Sequence, residues 1–398
     1  RRMVRHGLNA LERAETVEME NKEPRFGQMG AARRVARTLF LGSAPSSVAT
    51  KAVTRGIDRA RVLLGCLQPQ QAASVYADAL NRLADRLHYL NASGDKTHDA
   101  TRFWFDTRAN LRREMEDRKG RFDDKTEVRD KLDEALKRAL GTVGCFDGVH
   151  RFTPHADLPD DSALRLVVLP PESWYSREEP RLVFEAALNT LKQHGTKPRY
   201  RGNRLIFLAA DHCVLGRLKD AARIALAWAS IVEDVKESRL NIDLLQKNQA
   251  EKELKTAEDS RPRMVRECYK WLLCPVQDSP TDPQPLIEAL PLATTGGSVG
   301  SEIERVCQDN EWVIGAWSPI HLRTTLKKLY WKGGQNAVSA AAFFEDTLRY
   351  LYLPRFRNRE VLAQAIRAGA GSREFFGIAY GENGGKFDGF QLNRARCG

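Results

Sequence analysis

The sequence predicts a mixed α/β fold, predominantly helical: a winged-helix module, then a small βαβ module, then a helical C-terminal module. Three observations predict it. Amphipathic helical runs between residues 31 and 87 lead into a two-stranded ribbon; two short apolar runs near 165 and 205 flank a helical segment; and a proline- and glycine-rich stretch precedes a last group of alternating helices. At roughly 150 residues per domain, 398 residues make two to three domains, and 42% hydrophobic content is enough to bury their cores. The expected boundaries are a charged helix or linker at 1–30, the winged-helix-like module at 31–118, the α/β module at 119–275, a linker at 276–300 and the helical module at 301–398.

In order along the chain, Glu12, Glu15, Glu18, Glu20 and Glu23 alternate with basic residues, the texture of a solvated helix. Val35, Leu39, Phe40 and Leu41 recur at helical spacing until Gly42 and Pro45 stop them, and Ile57, Val62, Leu63 and Leu64 start a second helix after Gly56. Ala72, Val75, Tyr76, Ala79, Leu80, Leu83 and Leu87 form a longer amphipathic run. Leu87–Leu90 and Arg102–Thr107 read as strands around the polar turn that holds Gly94. Helices followed by such a ribbon are the plan of a winged helix.

A charged helical stretch, Leu111–Leu140, leads to the apolar runs Arg165–Leu169 and Leu205–Ala210, both suited to strands buried on two faces. Between them, Ser176 and Glu179 have capping-box spacing and Leu182, Phe184, Ala187, Leu188 and Leu191 carry a helix to Gly195, which completes a βαβ unit. Val214–Val235 continues as an apolar helix, and Asp243–Glu258 as one polar enough to be exposed. Prolines 275, 280, 283, 285 and 291 and glycines 296, 297 and 300 mark the linker. Ser301 and Glu304 then open helices that include Leu322–Trp331 and Ala340–Tyr352.

Composition narrows the function classes. Lysine and arginine number 63 against 52 acids, a net +11 that favours an anionic partner. The sequence lacks an uninterrupted apolar run of about 18–20 residues and an apolar segment behind Arg1, Arg2 and Arg5, so a cytoplasmic protein is expected, without membrane contact. Seven scattered cysteines without a CxxC pair argue against a disulfide framework and a zinc ribbon. The start at Arg1 and the stop at Gly398 after a strand-turn pattern are those of a piece of a longer protein.

Several motifs carry competing readings. The glycine-rich run ending in Gly-Lys-Ser/Thr that cradles phosphates is missing: Gly385-Lys386 is followed by Phe387, and Thr294–Ser298 runs into Val299 without a lysine. No nucleotide cofactor is therefore expected to bind this chain. Gly296-Gly297-Ser298-Val299-Gly300 matches a nucleophile elbow, with Asp309 and His321 downstream, but a proline-rich linker stands where a strand should deliver the serine. His150, His155, Asp157, Asp160 and Asp161, with Asp211, His212 and Cys213 at the next strand end, make a candidate metal set if both strand ends meet at one sheet edge. The bland alternative is a surface loop with helix-capping aspartates. For nucleic acid, the candidate phosphate contacts are Arg33, Arg34, Arg37, Arg55, Arg59 and Arg61, with Lys51 nearby and Asp58 opposing. The long helix and the wing are nearly charge-balanced: Arg82, Arg86, Lys96 and Arg102 stand beside Asp78, Asp85, Asp95 and Asp99. Arg355, Arg357, Arg359 and Arg367 form a second basic group, read as a solvated face.

Four strings resemble a known family: Arg37–Pro45 (RTLFLGSAP), Arg102–Leu111 (RFWFDTRANL), Asn203–Asp211 (NRLIFLAAD) and Tyr350–Arg355 (YLYLPR). They are similar to the C-terminal half of large prokaryotic ATP-binding proteins of a domain-of-unknown-function family. These are AAA+-type ATPases encoded beside DNA methyltransferases and helicases in anti-phage defence islands. The likeness runs over nearly the whole chain in the same segment order. It implies an upstream nucleotide-binding core, with ATP and Mg belonging to the full-length protein, and partners such as DNA, a DNA methyltransferase or helicase subunit, or further copies in a homo-oligomer. It assigns no catalytic residue here.

Two functions follow as expectations. The first is a non-catalytic portion that couples the nucleotide-binding core to DNA or to partner subunits. The second is a metal-dependent nuclease or phosphohydrolase built on Asp157, Asp160, Asp161, Asp211 and His212, which requires those groups within a few ångströms of one ion.

Overall fold

A computed structural model describes residues 15–43, 56–87, 89–105, 110–237, 239–240, 242, 244–295, 298–334, 337–372, 376–383 and 386–391. The fold is mixed α/β with more helix than strand, as the sequence predicts. The chain divides into two compact units, one of residues 1–128 with 221–259 and the other of 129–220 with 260–398. The βαβ segment and the C-terminal helices share the second unit, and residues 221–259 belong with the N-terminal elements.

In the first unit, helical residues 15–22 (α1) and the turn α2 (Pro24–Gly27) precede α3 (Ala31–Ser43), β1 (Ile57–Asp58), α4 (Arg59–Cys66), α5 (Ala73–Arg86), β2 (Leu90–Ala92) and β3 (Arg102–Phe105). The three strands pair antiparallel in the order β1-β3-β2. Each helix forms because its apolar positions recur on one face: Ala31, Ala32, Val35 and Leu39 of α3 and Tyr76, Ala79, Leu80 and Leu83 of α5 are buried around Phe26 and Phe103. Asp58 caps α4 by accepting from the Arg61 N–H at 2.9 Å. Gly56, at φ +75°, lets β1 lie against the Phe103 carbonyl, where any Cβ would collide. Strand β1 escapes the sequence pattern because two residues show no alternation.

Next, α6 (Leu111–Lys119) is capped by Asn110, whose side chain accepts from the Arg112 N–H at 3.1 Å and donates to the Leu90 carbonyl at 2.8 Å. Its Leu111 and Met115 pack in one cluster with Ala227, Trp228, Ile231, Val232 and Ala250, which lie on α9 (His212–Lys236) and α10 (Leu244–Cys268).

The second unit is built on a five-stranded sheet of order β10-β9-β8-β5-β4, where β4 is Gly148–Arg151, β5 Arg165–Val168, β8 Leu205–Ala210, β9 Tyr269–Val276 and β10 Leu286–Pro291. Strands β4, β5 and β8 run parallel, whereas β9 and β10 run antiparallel to their neighbours. Central β8 is buried at all six positions, which explains its unbroken apolar run. The helix α8 (Arg181–Lys192) joins β5 to β8, and Val183, Ala187 and Leu191 pack on Val167, Leu205, Phe207, Trp271 and Leu273. A small hairpin, β6 (Gln193–His194) with β7 (Lys197–Pro198), separates α8 from β8.

Two sequence expectations change here. The 276–300 linker contains β10, an edge strand; edges tolerate proline because no ladder N–H is required on the open side. The α8 cap is Pro180 and not Ser176, whose hydroxyl instead accepts from the Glu178 N–H at 3.3 Å.

After α7 (Glu127–Leu140), which precedes the sheet, and α11 (Val299–Asp309), which follows it, come α12 (Pro319–Leu329), α13 (Ala340–Arg349), α14 (Arg359–Gly371) and the hairpin β11 (Ile378–Asn383) with β12 (Lys386–Gln391). Leu322, Leu326, Phe343, Phe356, Val361 and Leu362 form the core of the helical group. It is fixed to the N-terminal edge of the sheet by polar side chains. The Asn203 amide donates to the Thr347 and Leu353 carbonyls at 2.8 and 3.2 Å. Arg355, expected at the surface, is buried and donates to the carbonyls of Asn203, Trp312 and Pro275 at 2.9–3.0 Å.

Candidate functional site

The phosphate-contact arginines divide into structural and surface groups. Arg59 is buried, donating to Asn81 Oδ1 and the Lys96 carbonyl at 2.8 and 2.6 Å, so it holds the β2–β3 loop to α5. Arg33 pairs with the buried carboxylate of Glu20 at 2.6 Å, and Arg34 donates to Tyr76 Oη and Gln71 Oε1 at 3.2 and 3.4 Å. Arg61 is exposed beside its own cap Asp58, and Arg37 is exposed without an ion pair among the described residues. Arg55 and Lys51 lie outside the described residues.

One face of α5 is already engaged. Phe26 of α2 is fully buried under α5, with the guanidinium groups of Arg25 and Arg82 over its ring at 4.7 and 5.3 Å. Arg25 pairs with Asp78, and Arg82 with Glu23 and Asp78. On the β2–β3 loop, Lys96 pairs with Asp85 and Asp99 faces Arg59 at 3.8 Å. Much of the charge balance seen in the sequence is thus a set of formed ion pairs, those of Asp78, Arg82, Asp85, Lys96 and Asp99.

The outer side of α3 and α4 differs. Thr38 meets Gly65 and bonds Cys66 Sγ at 3.3 Å, which turns Leu41, Leu64, Arg37 and Arg61 outward on either side of the helix contact. Leu41 and Leu64 are 70% and 76% exposed.

The candidate metal set does not converge. Asp160 accepts from the Tyr200 and Arg201 N–H groups at 2.7 and 2.8 Å, and Asp161 accepts from Ala163 N–H and Arg165 at 3.0 and 2.6 Å. Both lie where β5 and β8 begin. Asp211 lies where β8 ends, six residues and about 20 Å further on, at the opposite edge of the sheet. There it caps α9 through the Cys213 N–H at 2.9 Å and accepts from Trp271 Nε1 at 2.8 Å and Lys270 at 3.0 Å. Burial opposes ionisation of Asp211, but the Trp271 and Lys270 hydrogen bonds and the lysine charge outweigh it and hold the carboxyl below its ordinary value. His212 lies against Trp174 with ring centroids 4.0 Å apart, and Asp157 is exposed. His150 is on β4, in contact with Arg165 at 3.0 Å; burial and that cation lower its pKa. Among the described residues, no group of three or more metal-ligating side chains comes together. Ser298 of the elbow-like motif caps α11 by accepting from the Ser301 N–H at 3.1 Å.

Sequence reasoning missed one aromatic surface. Arg349 lies over the rings of Tyr200 and Tyr350, at 4.5 and 5.0 Å, and Tyr350 stacks on Tyr352 at 5.3 Å and 22°. The partners are about 150 positions apart, and only the string Tyr350-Leu351-Tyr352 hinted at them.

Compared with protein-family models, curated proteins and solved structures, the chain matches none.

Proposed function

We propose that this chain is the non-catalytic, accessory portion of a AAA+-type ATPase like those it resembles, and that its first unit docks a partner subunit through a winged-helix module. The order α3, β1, α4, α5, β2, β3 with strand order β1-β3-β2 supports the winged-helix assignment. What carries the docking role is the cover on α5. A winged helix that reads duplex DNA presents this helix to the groove, whereas here Phe26, Arg25 and Glu23 occupy it. The surface left open pairs exposed leucines with arginines, the composition of a protein interface and not of a phosphate track. ATP and magnesium belong, in this proposal, to the upstream core, since the sequence has no phosphate-cradling loop to hold them.

The metal-enzyme alternative is less well supported, because Asp160, Asp161 and Asp211 each serve the fold at opposite sheet edges.

The test is co-purification of the chain with a co-expressed methyltransferase or helicase subunit, together with duplex retention at low salt. Leu41→Asp with Leu64→Asp is expected to abolish co-purification while leaving circular dichroism unchanged. Strong duplex retention that is lost on Arg37→Glu with Arg61→Glu would replace docking by phosphate contact.

A further inference from the structure

The second unit carries a surface with the opposite character to the α3–α4 face. Residues 192–204 contain Lys192, Lys197, Arg199, Arg201 and Arg204 and no acid. Their side chains do different things. Arg199 and Arg204 turn inward to backbone carbonyls: Arg199 to those of Thr190, Pro159 and Leu158 at 2.9–3.1 Å, Arg204 to those of Phe356 and Arg357 at 2.5 and 3.2 Å. Arg201 pairs with Glu345 at 3.1 Å. Lys192 is exposed at the end of α8 and Lys197 on β7 of the adjoining hairpin, and neither forms an ion pair among the described residues.

The Arg199 N–H donates to the Lys192 carbonyl at 2.9 Å, so the two lysines flank the strand that delivers Tyr200 to the surface. Tyr200 is 54% exposed. Arg349, whose Nη1 donates to Tyr200 Oη at 3.2 Å, fixes the ring in place and continues the stack to Tyr350 and Tyr352.

We propose that the Tyr200, Arg349, Tyr350 and Tyr352 surface, with Lys192 and Lys197, is a stacking platform for single-stranded nucleic acid. A single strand presents two features at each nucleotide, an unpaired base with an open π-face and a phosphate. The exposed Tyr200 ring, held in place by the Arg349 guanidinium, matches the first, and the lysines the second. A duplex hides its base faces, and an acidic peptide offers no planar group to stack. Sequence preference is expected to be slight, because stacking accepts any base. The residues are distinct from those of the docking face, and the two proposals fail separately.

The experiment measures binding of the whole chain to a labelled oligothymidylate of about 16 nucleotides, the upper end of the site sizes of single-strand-binding folds. Three comparisons go with it: the matching duplex, an abasic oligonucleotide of equal length, and a proline-rich peptide. Tyr200→Ala is expected to weaken oligothymidylate binding about tenfold, and Tyr200→Phe, which keeps the ring, less than threefold. Lys192→Ala with Lys197→Ala is expected to flatten the salt dependence, and Arg37→Glu with Arg61→Glu to change nothing. Unchanged binding by Tyr200→Ala, equal affinity for the abasic strand, or preference for the duplex or the peptide would overturn the proposal.

Discussion

Replacing Asp211 by alanine separates the accessory reading from the metal-enzyme one, because the two predict opposite effects on stability. The carboxylate accepts from the buried indole of Trp271, from Lys270 and from the Cys213 N–H. Alanine leaves the indole N–H buried without a partner, which costs about 1–3 kcal/mol. Loss of the α9 cap adds about 1 kcal/mol. The Lys270 pair, with that side chain 27% exposed, adds less than about 1 kcal/mol. The sum is about 2–5 kcal/mol, which for a unit of this size lowers the melting temperature by roughly 4–20 °C. Thermal unfolding followed by tryptophan fluorescence reads it directly, since Trp271 is at the perturbed site. The sign of the pH dependence is fixed as well. A carboxyl whose folded pKa is depressed stabilises above its unfolded value near 3.9 and loses that contribution as pH falls through the folded pKa, so the gap between wild type and variant should close on acidification. A functional carboxylate held for a metal is commonly neutral or stabilising to remove. An Asp211→Ala protein that melts within 2 °C of the wild type, estimated on the same scale, would refute the structural role assigned to this residue.

Asn203→Ala should release the C-terminal helices from the sheet edge, since two buried carbonyls, of Thr347 and Leu353, lose their donor; a loss of about 2–4 kcal/mol in urea unfolding is expected. Native-state alkylation read by mass spectrometry should modify Cys213 first among the described cysteines. It is the exposed one, whereas burial pushes the Cys268 thiol up to about 12 and raises Cys274 as well.

Elements that bury apolar residues at a regular period were legible in the sequence: α3, α5 and α8 and the strands β3, β5 and β8, whereas β2 starts at Leu90, where the strand expected over Leu87–Leu90 ends, because Leu87 closes α5. Those that failed to show lack such a period. Strand β4 contributes one strongly apolar residue, Val149, in Gly-Val-His-Arg, and β10 is flanked by prolines that an interior strand would exclude but an edge accepts. The helix α11 starts at Val299 because the Ser298 hydroxyl reaches the Ser301 N–H, so the cap lies three residues before the serine that the sequence pattern favours. The site was legible only as residue types. Asp160 and Asp211 look alike in the sequence, and only the direction of β8 puts them at opposite edges. Arg355 and Arg357 look alike too, yet one is buried among carbonyls and the other exposed.

That last distinction bears on how the net charge of +11 should be understood. A guanidinium buried on carbonyls contributes to the total but meets no phosphate, and Arg59, Arg199, Arg204 and Arg355 are all of this kind. Burial, reinforced by the neighbouring Arg355 cation, lowers Arg204 to about 10, which still leaves it charged at neutral pH. The salt dependence of binding counts only the cations that displace counterions. Six phosphate contacts from the arginines between 33 and 61 would give a slope of log K against log salt of about −5 on duplex DNA, at about 0.9 per contact. Lys192 and Lys197 on a single strand give about −1.4, at about 0.7 each. A titration of oligothymidylate binding between low and physiological salt should therefore return the shallow slope. A slope steeper than about −4 would mean that the arginines of α3 and α4 touch phosphate after all, and that the charge read from the sequence, and not the paired and buried charge of the fold, governs what this protein binds.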